Sequence, residues 1–321
     1  MTTRWIRPGE GNDKPLWGLP TGVQVALWPA SVEGPGQGGP RGLFRIGVPM
    51  LDGGKRHGLI NFVAVEPIVS GRRGFSELEK SDRDGEPGKL FWSGLSDEPP
   101  ARPEPGRLAV SRDDEILRIT VSMEKFANGA RPIVDVEIAR SRPEEVRFTV
   151  RSAERSAPME YCVLTATMGN YARLRKLWLK DGIVEPKRLW PDFHGDEFTP
   201  EAFFPAAKLP VAANGDIIVC ATTDEEAPWE APADPRAPWW RYRGSFNLTQ
   251  YWRKPKGTAR PGLRLRVNGR RVYWANHTPI PGGLAYENFD LVEPFHEGQV
   301  FVYGVTRKSP QEVLAEGASA R

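Results

Sequence analysis

Apolar and polar residues alternate with a period of two along much of the chain. In LRITVSMEKF (117–126), every second residue from Leu117 to Met123 is apolar. IVDVEIARS (133–141) and VRFTVRS (146–152) repeat the pattern. Since successive side chains of a strand point to opposite faces, this period predicts half-buried β-strands.

Further apolar segments extend the strand pattern over most of the chain. They lie at 22–28, 43–49, 59–66, 160–167, 216–222, 288–293 and 300–306. Within LRLRVNGRRVYW (263–274), Asn268-Gly269 predicts a two-residue type I′ hairpin, because both central residues of that turn need positive φ. Many short strands separated by turns are typical of an antiparallel sandwich or barrel.

Helix signals are confined to two segments. GNYARLRKLWLKDG (169–182) has apolar residues at helical spacing and predicts one short central helix. SPQEVLAEGASA (309–320) predicts a C-terminal helix, with Ser309 as N-cap and Glu312 completing a capping box. Together, the two predicted helices include far fewer residues than the predicted strands.

The fold class follows from these elements. We predict a mainly β protein, a large antiparallel β-sandwich (super-sandwich) with one short central helix and a C-terminal helix. We expect residues 1–321 to form a single domain. Segments 78–107 and 223–238 are rich in proline, glycine and acidic residues, and we expect them to be long surface loops.

The composition is that of a packed globular protein, and its arginine content suggests an acidic ligand. Hydrophobic residues make up 39% and charged residues 26%. The net charge of +3 is too small to demand nucleic acid, which we regard as an unlikely partner. Arginine dominates the basic residues and suits carboxylate or phosphate binding, although a GC-rich genome also favours arginine over lysine.

Membrane and export signals are missing from the sequence. No stretch approaches the roughly 20 apolar residues of a membrane helix, and the first residues carry no apolar segment of a signal peptide. We therefore expect no membrane partner and a cytoplasmic protein, or a periplasmic or secreted one if a signal has been removed. Cys162 and Cys220 lie in apolar segments and are expected to be buried thiols, with an inter-strand disulfide as the alternative. The sequence leaves a homo-oligomer open.

One heptapeptide occurs twice with two changes. NFVAVEP (61–67) and NFDLVEP (288–294) both close on Glu-Pro. The pattern places Glu66 and Glu293 at strand ends beside apolar neighbours, where a raised pKa would suit a general acid. The alternatives are a chance match, or a glutamate that accepts a backbone N–H at a sheet edge.

Several residues near the two copies are further candidates. Arg72 and Arg73 lie between two glycines beside Glu66, a position suited to clamping a substrate carboxylate. Glu77 is grouped with them, although Glu77 and Glu79 are also candidates to pair with these arginines.

Histidine and tyrosine supply candidates for proton transfer. His57 precedes the first copy and His296 follows the second, and either histidine is a candidate proton shuttle at neutral pH. Tyr286 and Glu287 lie just before the second copy and complete the catalytic candidates. For any single histidine, a structural role is the commoner alternative.

One further segment contains candidate metal ligands. Asp192, His194 and Asp196 in PDFHGDEF (191–198) are weak candidates for a divalent metal, and an acidic surface loop is the alternative. No other cofactor is predicted, since phosphate-binding loops and dinucleotide fingerprints are absent.

An aromatic and basic segment follows at 238–257. It includes Trp239, Trp240 and Tyr242, whose faces suit stacking on sugar rings, while neighbouring arginines would hold an anionic chain. The alternative is that these aromatic residues are core anchors.

A large β-rich chain with many aromatic residues and arginines, and with scattered Glu, His and Tyr, resembles the carbohydrate-active β-sandwich proteins. The galactose-mutarotase-like super-sandwich and the β-sandwich polysaccharide lyases are the nearest comparisons. The resemblance implies an enzyme acting on an acidic or uronate-containing glycan, as a lyase or a glycoside hydrolase. The alternative is a non-catalytic carbohydrate-binding or assembly module. We favour the enzyme at this point, although fold alone does not fix function.

Overall fold

The computed structural model of the chain describes residues 4–9, 11–34, 39–49, 57–167, 174–223, 248–273, 277, 279–280 and 282–316. Within these described residues, strands account for 47% and helices for 5%. The strands form two antiparallel sheets of nine and ten strands, accompanied by two short helices. The predicted mainly β class is confirmed.

The chain divides into two compact units. Unit 1 comprises Met1–Leu164 and Pro294–Val300, and unit 2 comprises Thr165–Glu293 and Phe301–Arg321. This division does not test whether the whole chain folds as one domain, so the single-domain prediction stays a prediction.

Unit 1 contains the first ten strands and the start of the eleventh. They are β1 (Leu16–Gly18), β2 (Gln24–Ala26), β3 (Leu43–Pro49), β4 (His57–Val69), β5 (Arg72–Arg73), β6 (Phe91–Ser93), β7 (Arg107–Val110), β8 (Glu115–Met123), β9 (Pro132–Ala139), β10 (Glu145–Ser152) and β11 (Tyr161–Thr167). One layer has the order β1-β2-β3-β4-β11, with β5 beside β4. The other has the order β10-β9-β8-β6, with β7 beside β8.

The core of unit 1 lies between these two layers. Phe44 of β3 packs against Phe91 of β6 and Phe148 of β10, with ring centroids 5.3 and 5.4 Å apart. Leu117, Ile119, Val121 and Met123 of β8 are all buried, as their alternation predicts. The opposite face of β8, β9 and β10 is therefore the outer, polar face.

Unit 2 contains the remaining elements. They are β12 (Leu174–Leu179), β13 (Gly182–Val184), α1 (Pro186–Leu189), β14 (Ala202–Pro205), β15 (Ile217–Thr223), β16 (Thr249–Lys254), β17 (Arg264–Arg270), β18 (Ala285–Val292), β19 (Gln299–Thr306) and α2 (Pro310–Ala315). The end of β11 begins the order β11-β18-β17-β14, and the second layer runs β13-β12-β15-β16-β19. The buried indole of Trp252 in β16 donates to the carbonyl of Phe289 in β18 at 2.6 Å, which ties the layers together.

The predicted Asn-Gly hairpin is wrong. Strand β17 runs through Asn268 and Gly269, where its register with β18 shifts by a bulge. The Asn268 side chain accepts from the backbone N–H of Asn288 at 3.0 Å. A Cβ on Gly269 would lie 2.7 Å from the carbonyl oxygen of Ala285. Glycine is thus needed for close backbone approach and not for a turn.

The predicted helix at 169–182 is also wrong in its position. Residues 174–179 form β12 and residues 182–184 form β13, whereas the central helix is α1, one turn long. Leu174 and Leu177 are both buried in the sheet. Their spacing of three suits a helical face, and in β12 the register with β15 shifts between Leu174 and Lys176. Residues 169–173 lie outside the described residues.

Other predictions can be compared directly with the structure. Each strand predicted by alternation is present, and α2 has the expected capping box of Ser309 and Glu312. The predicted loop at 78–107 contains β6, and all but the first residue of 223–238 lies outside the described residues. Both cysteines are free and buried thiols. Among the described residues, no helix is long and apolar enough to cross a membrane.

Candidate functional site

The structure places Glu66 beside Arg73 in unit 1. Ser70 and Gly71, with φ of 49° and 71°, form the tight turn between β4 and β5. This turn brings Arg73 Nε to 3.9 Å from Glu66 Oε2, while Arg72 remains exposed. Glu66 itself is only 3% exposed. The predicted proximity of the arginine pair to Glu66 therefore holds for Arg73.

The glutamates that follow make separate contacts. Glu77 Oε2 accepts from the hydroxyl of Ser76 at 3.4 Å. Glu79 lies 3.6 Å from Lys89 Nζ and accepts from the backbone N–H of Ala127 at 2.8 Å. The carboxylate of Glu79 thus holds a neighbouring loop in place.

The candidate histidines have different surroundings. His57 Nε2 lies 2.9 Å from the carbonyl oxygen of Gly22, at the start of β4. Because His57 precedes Glu66 by nine residues (66 − 57) on one strand, the two are about 30 Å apart and do not share a site. His296 Nδ1 lies 3.5 Å from the carbonyl oxygen of Pro294.

The segments that follow the two Glu-Pro pairs both form hydrogen bonds with the backbone of Glu160. The N–H of Glu160 donates to the carbonyl of Ile68 at 2.7 Å, and the N–H of Phe295 donates to the carbonyl of Glu160 at 2.8 Å. All three residues lie in unit 1. These contacts are structural, since they satisfy backbone groups at the end of β4.

The candidates of unit 2 are buried in internal contacts. The carboxylate of Glu293 pairs with Lys254 and accepts the backbone N–H of Arg260 at 2.9 Å. The hydroxyl of Tyr286 donates to the carbonyl of Val184 at 3.0 Å, and burial, reinforced by Glu185, raises the pKa of Tyr286. Glu287 is fully buried. These environments favour structural roles, and the catalytic assignments stay predictions.

The metal and aromatic candidates lie elsewhere. Asp192, His194 and Asp196 are exposed, and the backbone oxygens of His194 and Asp196 accept from Arg271 and Arg270. No group of three metal-ligating side chains occurs within the part of the chain that the structure describes. Trp239, Trp240 and Tyr242 lie outside the described residues.

A groove that the sequence did not single out lies on the outer face of unit 1. It has a volume of about 430 Å³, and three arginines line it. We call it the arginine groove. Its lining residues are Leu95, Ser96, Asp97, Ser122, Met123, Arg131, Pro132, Ile133, Arg151, Ser152, Ala153, Glu154 and Arg155. Strands β8, β9 and β10 form its floor, and the loop after β6 forms one wall.

Two of the arginines are fixed by carboxylates. Arg131 Nη2 lies 2.6 Å from Asp97 Oδ1. Arg151 binds Asp135 through two hydrogen bonds, of 2.8 and 3.0 Å, to the two carboxylate oxygens. The hydrogen bonding to Asp135 raises the pKa of Arg151 above its ordinary value. Both guanidiniums are therefore charged and held in defined orientations.

The third arginine occupies an unusual backbone position. The N–H of Ser156 donates to the carbonyl of Ala153 at 3.1 Å and closes a turn in which Arg155 has φ of 65°. A left-handed conformation in a residue other than glycine costs on the order of 1–3 kcal/mol. Arg155 is exposed and makes no ion pair with any residue that the structure describes. Its charge is available to a ligand.

The groove is equipped for binding anions more than for moving protons. Guanidinium groups recognise carboxylate, sulfate and phosphate through paired hydrogen bonds. Serine hydroxyls at Ser96, Ser122 and Ser152 add acceptors for ligand hydroxyl groups. Histidine, cysteine and tyrosine are absent from its described lining.

The sequence offered only part of this site. Alternation already placed Arg151 on the polar face of VRFTVRS. The convergence of Arg131 and Arg155 with it depends on strand register and on one turn, neither of which has a sequence motif. Comparison with known protein families, with curated proteins and with solved structures found no match.

Proposed function

We propose that this protein is a non-catalytic binding module for an acidic glycan, with the arginine groove as its binding site. One observation carries the proposal: Arg131, Arg151 and Arg155 line a single groove, two fixed by carboxylates and the third without an ion-pair partner in the described chain. Arginines fixed before binding lose less conformational entropy when the ligand arrives.

The placement of the acid–base candidates supports binding over catalysis. A catalytic site gathers its titratable groups in one cleft. Here Glu293 is engaged by Lys254, and the hydroxyl of Tyr286 by a backbone carbonyl. His57 and Glu66 lie on one strand, His57 at its first residue and Glu66 near its far end. The alternative stated for this fold from the sequence, a carbohydrate-binding module, therefore becomes the leading proposal.

A glycan fits the groove better than a compact anion does. The groove crosses the outer face of three adjacent strands, β8, β9 and β10, and this direction suits an extended chain. Its serines offer contacts to sugar hydroxyls, while its arginines select for uronate or sulfate groups.

Titration calorimetry with a panel of polysaccharides tests the proposal. Polygalacturonate, alginate, hyaluronate and heparin supply uronate and sulfate groups, and neutral dextran is the matched control. We expect at least one acidic polymer to bind and dextran not to bind. Because the contacts are charged, affinity should fall as salt rises. Absence of binding to every acidic polymer would overturn the proposal.

A lyase or hydrolase centred on Glu66 is the second candidate. The contact of Arg73 with the buried Glu66 favours it, because an arginine beside a carboxylate can neutralise a substrate uronate. Absorbance at 235 nm and release of reducing ends, measured on the same panel, test it. Turnover that Glu66→Gln abolishes without lowering Tm would support an enzyme, and unchanged signals with wild-type protein would exclude both reactions for these polymers.

A further inference from the structure

We infer that the ligand is a linear polyanion and that a second anion-binding subsite, formed by Arg83 and Lys125, continues the arginine groove. This inference rests on the proposed function and deepens it. The subsite is a cavity of about 250 Å³. Its lining residues are Asp82, Arg83, Trp92, Asp97, Glu124, Lys125 and Arg131.

The two cavities adjoin, because Asp97 and Arg131 line both of them. The ion pair of these two residues therefore marks the junction. The Asp97 side chain is 85% exposed, and the guanidinium of Arg131 has further N–H groups with which it can bind a ligand carboxylate beside Asp97. The junction is therefore polar, and a ligand can extend across it from one cavity into the other.

Strand register aligns the two cavities on one face. Trp92 pairs with Ser122, Ser122 with Ile133, and Ile133 with Arg151, across β6, β8, β9 and β10. Directly paired residues of antiparallel strands point to the same face. Trp92, Ser122 and Ile133 are buried at the bottom of this row, and Arg151 is partly exposed. Three strand spacings of about 4.8 Å separate Trp92 from Arg151 by roughly 14 Å. That length accommodates more than one sugar ring.

Of the two cations of the second subsite, Lys125 is available to a ligand, whereas Arg83 already has internal contacts. Lys125 is exposed and makes no ion pair with a described residue. Arg83 lies over the ring of Trp92, 5.8 Å from its centroid, and its Nη2 donates to the carbonyl of Asp97 at 3.4 Å. Nearby carboxylates are about 4.0 Å from it, at Glu98 and Glu124.

The acidic residues of the subsite serve internal contacts. Glu124 is buried and accepts from the hydroxyl of Ser81 at 2.9 Å and from the N–H of Leu90 at 2.7 Å. Asp82 lies 3.2 Å from the buried ammonium of Lys89. The carboxylates thus stabilise the surrounding loops, and they line the same cavity as Arg83 and Lys125.

Chain-length dependence tests the inference. The tightest-binding polymer of the panel is prepared as a disaccharide and as a pentasaccharide, and both are titrated into wild-type protein and variants. Lys125→Ala, alone and with Arg83→Ala, removes the second subsite. Arg155→Gly removes the far end of the arginine groove. Arg112→Ala is the matched control, because it deletes an exposed positive charge of unit 1 that lines neither cavity.

We expect the Lys125 variants to weaken pentasaccharide binding by about five- to tenfold, since contacts between charged groups are lost. The disaccharide should be unaffected by them. Arg155→Gly should weaken both ligands, and Arg112→Ala neither. Unchanged pentasaccharide affinity in the Lys125 variants, with loss in Arg155→Gly, would overturn the second subsite while leaving the proposed function intact. Wild-type protein that binds neither length nor any acidic polymer of the panel would overturn both.

Discussion

Lys254 and Glu293 form an ion pair in which neither side chain has any exposed surface. The ammonium of Lys254 also lies over the ring of Phe301, 4.2 Å from its centroid. The second carboxylate oxygen of Glu293 accepts the N–H of Arg260 at 2.9 Å. The glutamate of the second Glu-Pro copy therefore forms a buried, hydrogen-bonded ion pair, and these contacts give Glu293 a structural role.

Removing one partner of this pair should lower the free energy of unfolding strongly. Glu293→Gln leaves a buried ammonium without its counter-charge, and such a loss typically costs about 3–5 kcal/mol. We expect urea denaturation to show a fall of that size in the free energy of unfolding. The double variant Lys254→Met with Glu293→Leu is the control and should recover much of it. A Glu293→Gln protein as stable as wild type would contradict the structural role.

Arg155→Gly should leave stability unchanged or raise it. Glycine adopts the φ of 65° without strain, which relieves on the order of 1 kcal/mol, although its greater freedom in the unfolded chain offsets part of the gain. Urea denaturation measures the difference. A clear loss of stability would mean that the Arg155 side chain, and not the ligand, is the reason for the strained backbone.

Asp216 should make stability depend on pH in the acid range. Burial tends to raise the pKa of Asp216, but hydrogen bonds from Lys256, Arg253 and Asn214 outweigh it and hold the pKa below its ordinary value of 3.8. The native state then binds fewer protons than the unfolded state, so this stabilisation is present above pH 3.8 and is lost as pH falls below it.

Asp216→Asn isolates that contribution, because it removes the charge and keeps the shape. The variant should be less stable than wild type at neutral pH, and the difference should shrink on acidification. Denaturation curves recorded between neutral pH and about pH 2 give the two stabilities. A difference that stays constant over that range would rule out this carboxylate as the source.

The two thiols should be unreactive in the folded protein. Burial, with a smaller contribution from Glu66, raises the pKa of Cys162, and burial raises the pKa of Cys220 to about 12. Since the thiolate is the reactive form, Ellman's reagent at about pH 8 should label neither cysteine in native protein and both in denaturant. Rapid labelling of either thiol without denaturant would contradict its burial.

Alternation predicted the strands well because it records which face of each strand is buried. The alternation pattern fails where tertiary contacts determine the backbone conformation. Asn268-Gly269 has the composition of a turn, yet β17 continues through it, and the close approach of the Ala285 carbonyl oxygen requires the glycine. Leu174 and Leu177 have the spacing of a helical face, yet pairing with β15 makes this segment a strand whose register shifts between Leu174 and Lys176.

The candidate site was harder to predict than the fold. Arg73 and Glu66 are close in sequence, so a turn was enough to bring them together. Arg131, Arg151 and Arg155 converge because β9 and β10 pair in one register and because one turn holds a left-handed residue. Register and turn geometry depend on the whole sheet, which local sequence patterns do not specify.

The most direct measurement is the affinity of an acidic polysaccharide for wild-type protein and for Arg155→Gly at the same ionic strength. The variant removes the guanidinium of the arginine groove that makes no ion pair among the described residues, at a position where glycine adopts the backbone conformation without strain. We predict binding by wild-type protein and a five- to tenfold weaker affinity, roughly one charged contact, for the variant. Equal affinities for the two proteins would contradict binding in the arginine groove.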